Sequence, residues 1–177
     1  ISKEKVVFRA IGDWVSANRY GDYKWNHFLN GIRAMKYNEE EKDVLFVALL
    51  FKNATTSYCV ELPYSDPENN FLSLRGVVSA IDYFITLTGK FYGNIKFYEP
   101  AKIYLQLTDL NESILDIKEF DGKIPKPYSI EFEAKWHEKN LELEEESSGK
   151  EISENPQQIT KKIADRLAQA FGMWEMP

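Results

Sequence analysis

The chain has one cysteine, Cys59, in 177 residues, so no intrachain disulfide can form and no thiolate cluster can hold zinc or iron–sulfur. Its two histidines, His27 and His137, lie far apart with no HxxxH or HxH spacing, and each reads as a surface or packing residue. A glycine-rich phosphate loop is also missing: the lone Thr88-Gly89-Lys90 lacks the earlier spaced glycine and the preceding strand. No apolar run approaches the roughly 20 residues of a membrane-spanning helix. No secretory signal is visible, and the chain begins at Ile1 rather than Met. The acidic runs EEEKD (39–43) and EEE (144–146) could attract a divalent ion. A metal-dependent nuclease, however, needs carboxylates converging from separate strands, and no base or ligand set can be assigned. The expectation is a non-catalytic cytoplasmic protein with no cofactor, no metal and no membrane association.

What is present is a hydrophobic fraction of 44% and enough length for one domain with room for an extension. The net charge of −6 is unevenly spread. Residues 1–130 carry 16 Lys+Arg against 17 Asp+Glu, while residues 131–177 carry 6 against 11. The body can present a basic face and the C-terminal part cannot.

Along the chain, KEKVVFR (3–9) reads as a strand lead-in and 11–25 as loop. HFLNGIRAMKY (27–37) fits helix or strand; Gly31 and the acidic turn that follows favour a curved strand with a bulge. VLFVALLF (44–51) is apolar on both faces, like a central strand, and pairs across the turn KNATT with SYCVELPY (57–64) as a hairpin. Cys59 there reads as a small core residue. In 71–87, Phe71, Leu74, Val77, Val78, Ile81, Phe84 and Ile85 recur at helical spacing, and Gly89 stands where a helix stops. From there Lys90, Tyr92, Lys96 and Tyr98 alternate with apolar or small residues, and Lys102 and Tyr104 resume the alternation after Pro100. A period of two predicts two strands. ILDIKEF (114–120) and YSIEFEAKW (128–136) are further possible strands, and DGK (121–123) a turn. LELEEESSGKEISENP (141–156) reads as a mobile acidic linker. QQITKKIADRLAQAF (157–171) is an amphipathic helix, and its stripe Ile159, Ile163, Leu167 and Phe171 must be covered by the domain, a second copy or a partner.

Strand, strand, strand, helix, strand, strand is the element order of an OB-fold. The expected class is mainly β (α+β): a five-stranded OB-like Greek-key barrel over 1–136 with a helix between strands three and four. An acidic linker and helix follow over 137–177, and deleting residues 141–177 should leave the barrel folded. A plain α+β sandwich is the alternative. FLNGIRAMKYNEEEKDVLFVALLFKNATTSYCVELPY, a helix, GKFYGNIKFYEPAKIYLQL and an acidic C-terminal segment together resemble the OB-fold single-stranded DNA-binding proteins of bacteriophages. That resemblance implies binding of single-stranded DNA in phage-type replication or recombination, in the host cytoplasm. It also implies replication proteins, or self-association, as partners of the C-terminal region. Here the acidic run is internal and a helix follows it, unlike that family's acidic tail.

Single-strand binding needs cations along the phosphates and flat side chains under the bases. Lys90, Tyr92, Lys96, Tyr98, Lys102 and Tyr104 supply both on the expected strands, and Arg33, Lys36 and Tyr37 join them if the first strand lies alongside. Of the four tryptophans, read as core or interface anchors, Trp25 in the basic YKWNH is a further stacking candidate. The rival reading is a protein-interaction or assembly module in which the acidic linker and C-terminal helix dock a partner.

Overall fold

A computed structural model describes residues 24–37, 44–60, 64–66, 68, 70–116 and 135–172. Strands β1 (Lys24–Phe28) and β2 (Gly31–Tyr37) form an antiparallel hairpin closed by Leu29 and Asn30, with Phe28 opposite Gly31. The single bulged strand expected over 27–37 is therefore a turn and two strands. Gly31 is needed for close approach, because a Cβ there would collide with the Leu50 carbonyl. Strand β3 (Val44–Phe51) runs between β2 and β4 (Thr56–Val60), giving a sheet of order β1-β2-β3-β4. The central strand and its hairpin are as the apolar pattern predicts, but the partner strand ends at Val60, and Tyr64, expected on it, belongs to a different sheet. Ala34, Ala48 and Tyr58 stand opposite one another across three strands on the inner face, two small side chains leaving room beside one large ring. Cys59 faces outward and is exposed, correcting its reading as core, since β4 buries one face only.

Strands β5 (Tyr64–Asp66) and β6 (Phe71–Ser73) pair antiparallel, and β6 pairs in parallel with β8 (Ile114–Asp116), as the short-strand reading of 114–120 anticipates. Helix α1 (Leu74–Ile95) follows β6, its N-terminus capped by the Ser73 hydroxyl, which accepts from the Gly76 N–H at 3.0 Å. The helix does not stop at Gly89. It continues to Ile95 and ends on Lys96, which adopts the left-handed conformation (φ 55°) and donates its N–H to the Gly93 carbonyl. The strand expected over 90–98 is therefore the last turns of a helix and its cap. The reason lies in the longer pattern. Leu74, Val77, Ile81, Ile85, Thr88 and Tyr92 are all buried, at steps of three and four, so Phe91 and Tyr92 complete a helical face rather than alternate across a strand. Gly89 lets two helices touch, for a Cβ would meet the Ile152 carbonyl.

Strand β7 (Pro100–Leu107) is a strand as expected, but its partner is β9 (Leu141–Ser148), drawn from the segment read as a mobile linker. Leu141 and Leu143 point inward with Glu145, while Glu142, Glu144 and Glu146 point outward. The acidic composition hid this alternation, and the pairing makes it tolerable: Lys102 lies between Glu144 (2.6 Å) and Glu146 (3.4 Å), and Gln106 donates to Glu142 at 2.8 Å. Ser148 then caps helix α2 (Gly149–Glu154), and Pro156 opens helix α3 (Pro156–Ala170). The stripe Ile159, Ile163, Leu167 and Phe171 is buried in the chain's own core, beside α1, where Thr160 donates to Asp82 at 3.2 Å. One hydrophobic cluster joins residues on both sides of the expected 136/137 boundary, so the segment beyond 140 packs into the same core as the residues before it.

The protein is a mixed α+β structure; among the described residues there are three sheets, of four, three and two strands, and these strands form no closed barrel. The expected fourth barrel strand lies in α1, and β7 closes onto β9 instead. The readings of 3–9, 121–123, Trp14 and Trp174, and nearly all of 128–136, lie outside the described residues. No helix among the described residues is long and apolar enough to cross a membrane.

Candidate functional site

Among the described residues strands β4 and β7 each form the border of a sheet, and a groove of about 770 Å³ is lined by both strands and by α1. That volume is in the range of ligand sites, roughly 300–1,000 Å³. The alternation in β4 half-buries Thr56, Tyr58 and Val60 and exposes Ser57 and Cys59, that in β7 buries or half-buries Ile103, Leu105 and Leu107, and residues of both faces of each strand line the groove. The floor is the face of α1 that carries Val77, Ala80, Ile81, Phe84 and Thr88.

The groove is mostly apolar with one polar end. Tyr58 stacks on Phe84 (centroids 6.0 Å, planes 13° apart) and tilts against Tyr83 at 5.5 Å. At the other end Thr56 and Thr88 share a hydrogen bond of 3.1 Å between their hydroxyls. The Tyr92 phenol lies beside them: burial pushes its pKa up, and its hydrogen bond with Thr56 partly opposes that shift. The Tyr92 ring contacts Phe97 at 4.7 Å, so the helix cap closes this end.

The outer face of β7 and β9 is different in character. Lys102, Tyr104 and Gln106 stand beside Glu142, Glu144 and Glu146, one cation to three carboxylates. Hydrogen bonds to Glu144 and then Glu146 raise the Lys102 pKa and commit its charge. On the inner side Arg166 of α3 donates to the Glu144 carbonyl and reaches the Glu145 carboxylate at 3.2 Å.

The sequence-predicted binding residues do not share one strand face. Arg33 is exposed on the outer face of β2; Lys36 and Tyr37 lie in β2, their side chains outside the described residues. Lys90 is on α1, where desolvation lowers its pKa from the usual 10.5. Tyr92 is only 7% exposed, a groove and core residue rather than a stacking platform, because the helix turns it inward. Lys96 is the exposed helix cap, and Tyr98 is 53% exposed in the turn before β7. Lys102 and Tyr104 do share the outer face of β7, Tyr104 being 66% exposed. Trp25 lies in β1, its side chain undescribed; Trp136 packs on Phe171 at 5.6 Å, an anchor as expected. His137 is exposed, 3.3 Å from Glu112. Among the described residues no group of three or more His, Cys, Asp or Glu is placed to hold a metal ion.

Sequence reasoning missed the groove. Its inward residues are visible as alternation in 56–60 and 101–107 and as the helical stripe of α1, but which strand edges stay unjoined is a property of pairing. No protein-family model, curated protein or solved structure matches the chain.

Proposed function

We propose that this protein is a non-catalytic interaction module that receives an apolar-bearing segment of a partner in the groove between β4 and β7. One observation carries the reading: two sheet borders flank a groove of about 770 Å³ whose floor is an apolar helix face. Burial of apolar surface there supplies affinity at about 25 cal/mol per Å² before association costs. The apolar stripe of the C-terminal helix named in the sequence reading is covered by its own chain, which favours the groove over that stripe as the interaction surface.

A second reading, single-stranded DNA binding of the phage replication or recombination type on an OB-like scaffold, keeps one supporting observation. Tyr98 and Tyr104 are large exposed aromatics close in sequence to Lys96 and Lys102. Against it stands the charge of that face, where the carboxylates of β9 repel phosphate and occupy Lys102.

The two readings separate in one experiment. Displayed random 12-residue peptides are selected on the wild-type protein and on Ala80→Trp, which fills the groove, while fluorescein-labelled oligo(dT) is titrated against both. The groove reading expects peptides enriched on wild type and not on Ala80→Trp, with no oligo(dT) binding. Equal enrichment on both proteins, with Ala80→Trp folded by circular dichroism, would show that the groove is not the site.

A further inference from the structure

We infer that the groove reads one uncharged polar side chain of its partner, a carboxamide or a hydroxyl, through the hydroxyl cluster of Thr56, Thr88 and Tyr92, an inference resting on the groove being the binding site. All three residues line the groove. Thr88 and Tyr92 are 3% and 7% exposed and stand on successive turns of α1. Thr56 opens β4 and meets Thr88 hydroxyl to hydroxyl at 3.1 Å. Tyr92 hydrogen-bonds with the Thr56 side chain, and burial raises its pKa, so the phenol keeps its proton. Three hydroxyls carry three protons and accept as well as donate. The bonds among them engage two of those protons, which leaves a donor and spare lone pairs in a groove that is mostly apolar. An apolar side chain laid over them would strand both. Asparagine, glutamine, serine and threonine each donate and accept, and so satisfy both.

Charge decides against the other polar anchors. Among the described residues that line the groove there is no Asp, Glu, His or Arg. Lys102 lines it too, but its ammonium is held by Glu144 at 2.6 Å and Glu146 at 3.4 Å. A carboxylate or ammonium carried to the hydroxyls would leave water without a counter-charge, at a cost that hydroxyls alone do not offset. The cluster also fixes where the anchor sits. Val77 and Thr88 both line the groove, separated along α1 by roughly 16 Å at the helical rise of about 1.5 Å per residue. Beyond Thr88 the Tyr92 ring meets Phe97, which closes that end. The partner segment therefore lays apolar side chains over Val77, Ile81 and Phe84 and carries its polar anchor at one end, not in the middle.

The test takes the displayed peptides enriched on the full chain but not on Ala80→Trp, aligns them, and measures binding by fluorescence titration. Their shared motif should have Asn, Gln, Ser or Thr at one end and apolar residues behind it. Exchanging that residue for an apolar side chain of similar shape should weaken binding to wild type about tenfold. On Thr88→Val or Tyr92→Phe, shown to be folded by circular dichroism, the same exchange should cost about twofold or less, because the hydroxyl it addressed is gone. A tenfold cost kept on both variants would place the anchor elsewhere and overturn the inference. A charged residue at the end of the motif, or no preferred residue there, would overturn it without any variant and leave the groove reading standing. Enrichment of no peptide, or equal enrichment on Ala80→Trp, removes the groove reading itself and this inference with it.

Discussion

The two faces of β7 differ by one residue in register and by everything in chemistry. Ile103, Leu105 and Leu107 face α1 and the groove, where the lining is mostly apolar. Lys102, Tyr104 and Gln106 face solvent across from a row of glutamates, where charges are exposed and mutually compensated. A period of two makes such a strand, but only its partners decide which face carries function. An aromatic and cationic face is conspicuous in a sequence, yet its lysine is already engaged by the neighbouring strand. The inconspicuous apolar face borders the groove of about 770 Å³.

Removing the support of the inner face should have the largest effect. Truncation after residue 140 deletes β9, α2 and α3 and uncovers one side of α1 and β7. The shortened chain should not fold, seen as loss of a cooperative thermal transition; a folded truncation with wild-type helix content would mean that the C-terminal part is an appendage after all. Next comes the contrast within β7. Ile103→Asp places a carboxylate opposite Glu145 on the buried side and should cost about 3 kcal/mol or more. Tyr104→Asp, one residue along, should change stability by less than about 0.5 kcal/mol. Equal losses in urea denaturation would erase the distinction between the faces.

Much of this architecture can be read in the sequence. The hairpin β3–β4, the start of α1, strand β7, the short β8 and the stripe of α3 follow from their apolar periods. The failures share a cause. Phe91 and Tyr92 fit alternation over a short window and a helical face over a long one, and the packing of Gly89 against Ile152 settles it for the helix. Residues 141–148 show alternating leucines, but their charge reads as a linker until Lys102 and Gln106 stand opposite. Of the candidate site, the exposure of Tyr98 and Tyr104 was legible. The burial of Tyr92 and the groove were not, because both depend on contacts distant in sequence.

A milder change probes the helix contact behind the groove. Gly89→Ala should force α1 away from α2; overpacking of about 1–3 kcal/mol, less a helix-propensity gain of about 0.5–1, leaves a net loss near 1 kcal/mol. A stabilised variant would mean that the helices separate freely. Smaller still is the response to acid. The carboxyl pKa of Glu151 is lowered chiefly by the Ser147 hydroxyl and then Lys162, and that of Glu112 by Lys135 and then His137. Groups whose folded pKa is depressed stabilise the fold above their ordinary value of 4.5 and lose that contribution as pH falls through the lower folded value. Melting temperature should therefore decline below pH 4.5, and Glu151→Gln should flatten part of that decline. Lys102→Gln should barely alter stability, its effect growing at low salt as three carboxylates lose their counter-charge.

The most direct measurement is a residue-resolved NMR titration of the protein with a groove-selected peptide and, separately, with oligo(dT). The account predicts that the peptide shifts amide signals of β4, β7 and the 77–92 face of α1, while signals of Glu142, Glu144 and Glu146 stay still and oligo(dT) shifts nothing. Shifts from oligo(dT) gathered at Tyr98, Lys102 and Tyr104, with a silent groove, would contradict it.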